Sequence, residues 1–300
     1  MTFAAFVLST GRCGTQWLAT SLANAYSDLI TADHEPLRDR YEPRKALGRS
    51  ASATAPSTLP PAALEHCREI EGQLDTRSYV ECGHLGWSTT PCLAERFRGR
   101  VRIVHLTRHP VTTCCSWMTH AAFQSPILPH IPEKILLSPF DDGIRFAEYQ
   151  QTWATLSPFE KCLFYWCEVH AFALDLESRL NVPWLRLRYE DLFDSDGLER
   201  LVDFLELPHR AGIFSQRTTL VDNYRFLSNV WQDWQIIDNH PRVKAIAQQL
   251  GYNLSGIEET ALRRRYLASP GVTAEGFLTP VRFNATVDST LPSHTDHPGR

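Results

Sequence analysis

The stretch that decides the fold is Phe3-Ala4-Ala5-Phe6-Val7-Leu8-Ser9-Thr10-Gly11-Arg12-Cys13-Gly14-Thr15-Gln16-Trp17. An apolar run ends abruptly at two glycines. A helical pattern then begins at Thr15, with Trp17, Leu18, Ser21, Leu22 and Ala25 on related faces. This reads as a buried strand, a tight turn and a helix. Working outward, short apolar runs recur at Leu29–Ala32, Tyr79–Cys82, Val101–Thr107 and Trp184–Leu187. Helical stretches separate most of them, at about Pro61–Leu74, Pro91–Phe97, Val111–Phe123 and Ser157–Leu180. Strands alternating with helices predict an α/β fold of three layers, α/β/α, around a central parallel sheet.

Three segments break the pattern. Residues 46–63 are rich in Ala, Ser and Pro and read as a surface loop. Residues 124–140 carry four prolines and read as a long irregular excursion of the kind that forms lids and binding loops. Residues 268–300 lose hydrophobic periodicity and read as an extended or disordered tail. The aromatic-rich helix near 157–180 reads as core.

Composition narrows the function. Hydrophobic residues are 43% of the 300, enough for a sizeable core, and the formal charge is −4. That excludes a broadly basic nucleic-acid coat but leaves room for one local basic pocket. No apolar run approaches the roughly 20 residues that cross a bilayer. The amino terminus lacks the basic region of a signal peptide. The eight cysteines form no C-x-x-C pair. A reduced, cytoplasmic protein without a zinc site is therefore expected.

Three segments carry chemistry. In Ser9–Trp17, glycines 11 and 14 let the backbone approach an anion, the helix start offers N–H groups and positive dipole, and Thr15 and Gln16 add donors. It is not a Walker A loop: position 9 is Ser, and no Lys follows Gly14. Cys13 lacks the C-x₅-R partner of a phosphate-cradling thiolate and reads as structural. In the second segment, Arg108-His109-Pro110 ends a strand and opens a helix, with Ser116 two turns on, so an Arg fork and a hydroxyl stand ready for a second phosphate. The third is Arg188-Tyr189-Glu190-Asp191-Leu192, where Asp191 could cap a turn and Tyr189 could pack beside a planar ligand. His105, His109 and His120 read as packing or surface residues.

In this order the three segments resemble the sulfotransferase family that uses 3′-phosphoadenosine 5′-phosphosulfate (PAPS). The family's 5′-phosphosulfate loop, P-[KR]-[ST]-G-T-[TS], is matched by Gly11-Arg12-Cys13-Gly14-Thr15-Gln16. Its 3′-phosphate segment, R-[DN]-P with a Ser eight residues past the Arg, is matched by Arg108-His109-Pro110 and Ser116. Tyr189-Glu190-Asp191-Leu192 matches its Y-E-D-L, and Trp231 to Leu250-Gly251-Tyr252 matches a Trp-led segment ending in L-G-Y. The likeness covers about residues 3–252. The departures are Gly11 for Pro, Cys13 for Ser/Thr, Gln16 for Thr, and no counterpart of an R-K-G motif.

The resemblance implies a P-loop type nucleotide-binding domain over residues 1–267, with 268–300 as the tail. It implies PAPS as cofactor, its desulfated form PAP as product, and no metal. Gly11, Arg12, Cys13, Gly14, Thr15, Gln16, Trp17, Arg108, Ser116 and Tyr189 are the cofactor-binding residues it implies. Sulfuryl transfer follows the logic of phosphoryl transfer, mostly positioning and fixed positive charge. Arg12 is expected to stabilise the leaving phosphate oxygen. Two candidates exist for the general base. Glu35, in His34-Glu35-Pro36, resembles the E-P-L segment of the carbohydrate-sulfating branch; His84 resembles the base His of the cytosolic branch. Glu35 is preferred. The expected partner is a small-molecule or saccharide acceptor, with no nucleic acid and no membrane. The alternatives are a P-loop nucleotide kinase and a non-catalytic nucleotide-binding module.

Overall fold

A computed structural model describes residues 1–37, 40, 42–44, 46–47, 59–83, 85–124, 135–194, 196–210 and 231–267. His84, Tyr41, residues 125–134 of the proline-rich excursion and the tail 268–300 lie outside the described residues.

In chain order the elements are β1 (Ala4–Leu8), α1 (Thr15–Tyr26), β2 (Ile30–His34), α2 (Pro61–Gln73), β3 (Ser78–Cys82), α3 (Thr90–Arg96), β4 (Val101–Thr107), α4 (Pro110–Met118), α5 (Pro158–Arg179), β5 (Trp184–Arg188), a short α6 (Asp191–Asp194), α7 (Gly197–Phe204), α8 (Pro241–Gln249) and α9 (Glu259–Leu267). The sheet is five-stranded, in the order β2-β3-β1-β4-β5, and all four pairings are parallel. β1 pairs with β3 on one side and β4 on the other. The strand order reverses there, so the loop after β1 sits at the switch point where open α/β sheets bind ligands.

Side-chain alternation along the strands makes the layers. Phe6, Leu8, Tyr79 and Ile103 enter one core with side chains of α2, α3, α4, α5, α8 and α9. Ala5, Val7, Val80 and Val104 enter a second core with Trp17, Leu18, Leu22 and Tyr26 of α1 and Leu201 and Val202 of α7. Leu22 is fully buried there; truncating such a leucine to alanine costs about 2–5 kcal/mol.

The helix starts follow local chemistry. α2, α4, α5 and α8 each carry proline at or beside their first position, where its missing N–H costs nothing. Ser157 and Glu160 form a reciprocal capping box on α5, which buries Phe159, Phe164, Tyr165, Trp166 and Phe172. Two boundaries differ from the sequence expectation. The helix expected to reach Phe123 stops at Met118, because Ala121 and Phe123 take left-handed backbone (φ 53° and 57°). β2 runs on to His34 rather than ending at Ala32, held in register with β3 as far as Cys82. Among the described residues no helix is long and apolar enough to cross a membrane.

Candidate active site

The loop joining β1 to α1 is wound in an unusual backbone. Gly11, Arg12 and Gly14 all have positive φ, at 75°, 61° and 76°. Two are glycines, for which this costs little; for Arg12 it stores about 1–2 kcal/mol. The Ser9 hydroxyl accepts from Gly11 N at 3.1 Å and tightens the turn. Gly14 is the N-cap of α1, and being glycine gives the first N–H groups no side-chain cap. A Cβ there would stand 3.0 Å from Cε2 of Tyr189. Glycine thus suits both the left-handed turn and the ring that packs over it.

Cys13 turns inward. It is fully buried, with Sγ 3.1 Å from the Gly11 carbonyl and 3.6 Å from Thr10 Oγ1. Burial pushes its thiol up to about 11, so a thiolate nucleophile is excluded at neutral pH. Trp17 lies in the α1 core and Gln16 is exposed at the helix start.

The second segment meets the first. Arg12 Nε donates to Ser116 Oγ at 3.0 Å across 104 residues of chain. Arg108 donates to the Arg12 carbonyl at 2.7 Å and to Tyr266 Oη at 3.0 Å, and its Cζ lies 4.4 Å from the centre of the Tyr189 ring. The Trp166 indole N–H donates to the Arg108 carbonyl at 3.0 Å, fixing the main chain. Burial opposes the guanidinium charge, but Tyr266, Tyr189 and Glu190 outweigh it and its pKa is raised. Arg108 Nε is buried with no acceptor among the described residues. A buried charged donor left this way costs free energy that an anion would recover.

The third segment supports the second. Tyr189 N donates to the Thr107 carbonyl at 2.7 Å. The Glu190 carboxylate accepts from His109 N at 3.1 Å and from Tyr252 Oη at 3.2 Å, and that hydroxyl lies 2.8 Å from Thr107 Oγ1. Glu190 and Tyr252 therefore brace the turn that carries Arg108. Asp191 is the first residue of α6 rather than a cap before it, and it pairs with Arg188 at 2.7 Å. His109 caps α4, its Nδ1 accepting from Val111 N at 3.3 Å. His105 and His120 are buried.

Glu35 stands across the edge, just past β2. Its backbone is also left-handed (φ 48°), and its N–H donates to the Cys82 carbonyl at 3.3 Å. A Cβ on Gly83 would come within 2.8 Å of Glu35 Cγ, so Gly83 makes room for it. His34 Nε2 lies 3.2 Å from Thr15 Oγ1 and 3.6 Å from Glu35 Oε1. Of the five non-glycine residues with positive φ among the described residues, two are Arg12 and Glu35; strain of this kind concentrates at functional sites. Among the described residues no cluster of His, Cys, Asp and Glu is suited to a metal ion.

Sequence reasoning gave Tyr266, His34 and Glu190 no role and placed Trp166 in the core, where it is buried. Glu190 had a signal, since it sits inside the Tyr-Glu-Asp stretch already under scrutiny. Tyr266 had none, because it reaches Arg108 only through the docking of α9.

No protein-family model matches the chain, and no curated protein matches it significantly. Among solved structures it is similar to a sulfotransferase domain from the curacin biosynthetic pathway, with 17% identity, a TM-score of 0.49, and coverage of 85% of this chain and 99% of that one. It is also similar to a sulfotransferase from Alicyclobacillus acidocaldarius, with 13% identity, a TM-score of 0.43, and coverage of 88% and 100%. A third is mouse sulfotransferase SULT7A1 complexed with PAP, with 16% identity, a TM-score of 0.42, and coverage of 83% and 82%. At these identities and scores the likenesses carry no functional inference, which rests on the chain's own residues.

Proposed function

We propose that this chain is a sulfotransferase that moves the sulfuryl group of PAPS to a hydroxyl, or less readily an amine, of a small molecule or saccharide. The observation that carries the reading is the convergence of both anion segments on one spot, through Arg12 to Ser116 and Arg108 to the Arg12 carbonyl. The residues present fit a nucleotide with two separate anionic groups. Arg108 keeps a buried donor unspent, and Gly14 leaves a cradle that a Cβ would fill.

In this reading the backbone of Gly11–Gly14, the Thr15 hydroxyl and the start of α1 hold the 5′-phosphosulfate. Arg108 and Ser116 hold the 3′-phosphate, and Tyr189 flanks the loop. PAPS, when bound, supplies the sulfuryl group and a leaving phosphate. Arg12 stabilises the negative charge that grows on the leaving oxygen, and it does so as a fixed cation rather than as a proton donor. Glu35 takes the proton of the acceptor hydroxyl, with His84 the alternative base. The Glu35 side chain is 21% exposed, which leaves an approach for the acceptor.

Titration calorimetry with PAP, followed by a screen of hydroxyl acceptors with isotope-labelled PAPS, tests this. Binding of PAP by the native chain and transfer of label to an acceptor are expected. Magnesium-dependent ATP turnover with no response to PAPS would instead establish a kinase. Tight binding of PAP without transfer to any acceptor would establish a silent nucleotide-binding module.

A further inference from the structure

We infer that His34 is a positioning residue that ties the anion loop to the proton acceptor, its Nε2 hydrogen-bonded to Thr15 and facing the Glu35 carboxylate at ion-pair distance. This rests on the reading of Glu35 as the base. His34 is the last residue of β2, in register with Cys82, and Cys82 in turn accepts from Glu35 N. Consecutive residues of an extended strand point to opposite faces. His34 and Glu35 do not, because the left-handed backbone of Glu35 (φ 48°) swings its carboxylate back toward the imidazole, into the room left by Gly83. The strained residue therefore has a purpose in this geometry: it brings Oε1 to 3.6 Å from His34 Nε2, while Thr15 Oγ1 stands 3.2 Å from the same atom.

The proton order follows from the chemistry of the groups. An imidazole nitrogen carries either one N–H or one lone pair, and an ionised carboxylate only accepts. With Glu35 ionised, as a base must be before it acts, Nε2 holds the proton. Thr15 Oγ1 then accepts from Nε2, and its own O–H is turned away from His34. Thr15 is the first residue of α1, immediately after Gly14, so that O–H is released toward the anion loop. One imidazole thereby orients the base and frees a donor for the bound anion. Neither effect needs His34 to touch the reacting atoms.

The test uses the full chain, PAPS as donor and water as acceptor, with release of PAP as the readout, and PAP affinity measured by calorimetry. His34→Ala is expected to release PAP about 10- to 100-fold more slowly, while its affinity for PAP stays within about threefold, because the loop's N–H groups are intact. His34→Gln, whose amide N–H reaches the place of Nε2, is expected to recover most of the rate. Thr15→Val, which keeps the shape and removes the hydroxyl, is expected to lose rate in the same sense, and it carries the test if His34→Ala does not fold. A full rate in His34→Ala, or a His34→Gln as slow as His34→Ala, overturns the inference. If Glu35→Gln is dead while His34→Ala is unimpaired, the base survives and only this inference falls. If Glu35→Gln and His34→Ala both keep the full rate, the base assignment falls with it. No PAP release by the native chain, either with water or with any of the screened hydroxyl acceptors, overturns the sulfuryl-transfer reading itself.

Discussion

At the carboxyl edge of the sheet, the β1/β4 side buries its main cation while the β2 side leaves its carboxylate half-exposed. Arg108 is 6% exposed and is gripped by a carbonyl, a phenol and an aromatic face. The side chains of His34 and Glu35 are 29% and 21% exposed. The two sides ask different things of their residues. A buried guanidinium with an unspent donor is costly alone and strongly rewarded by one particular anion. A partly exposed carboxylate leaves space beside it for a variable partner. The proposed division of labour, a fixed nucleotide on one side and an open acceptor on the other, follows from that difference.

The comparison can be broken by substitution, beginning with the largest effects. Arg12→Ala and Glu35→Gln, one from each side, are each expected to lower sulfuryl transfer by about 10²–10³-fold, read as initial rate at saturating PAPS. Full activity in either removes that side from the chemistry. Arg108→Ala is expected to act on binding rather than turnover. Each charge-assisted bond is worth about 1.5–3 kcal/mol, so calorimetry with PAP should show affinity lower by about 10- to 100-fold.

Acid probes what lies beneath the nucleotide side. His105 of β4 and His170 of α5 share a hydrogen bond of 2.8 Å in the core. Burial, with the neighbouring His170 and Arg186, holds His105 well below the usual imidazole range, and burial pushes His170 down to about 3. Both folded-state values lie below the unfolded value near 6.5. The unfolded chain therefore binds more protons as pH falls below that point. Stability is full above about pH 6.5 and declines through the window down to about 3, by up to ~1.4 kcal/mol per pH unit for each imidazole. Urea unfolding between pH 7 and 5 checks this, and a flat profile would contradict it. The smallest effect is expected from Gly14→Ala. Left-handed backbone costs alanine about 1–2 kcal/mol, and the Tyr189 ring must also give way. A lower Tm with weaker PAP binding should result, whereas Gly99→Ala, with positive φ but open space around it, should lower Tm alone.

The local elements were legible because their causes are local. The apolar run before Gly11, and the prolines at 61 and 110, mark starts and stops that the structure bears out. The end of α4 was not legible, since nothing in the alternation announces left-handed backbone at Ala121 and Phe123. Arg108 and Ser116 were found from strand-to-turn spacing, and Arg12 only from the resemblance of its loop. That Arg12 and Ser116 bond to each other was not, because the pair is 104 residues apart and periodicity reports only neighbours. The pairing of Glu35 with His34 escaped for another reason. Alternation along a strand predicts that adjacent side chains diverge, and one left-handed residue reverses this.

By itself the sequence determined an α/β chain whose glycine turn and Arg-His-Pro turn follow strands, with a net charge of −4 that excludes a broadly basic nucleic-acid coat. Short-range sterics and hydrophobic period dictate those features whatever the rest of the chain does. Only the tertiary structure decided which turns share an edge, that Tyr266 and Glu190 brace Arg108, and that His34 faces both Thr15 and Glu35. Those contacts exist because parallel strands in the order β2-β3-β1-β4-β5 bring their carboxyl ends to one side. That arrangement is fixed by burial of two cores together and is written in no single segment.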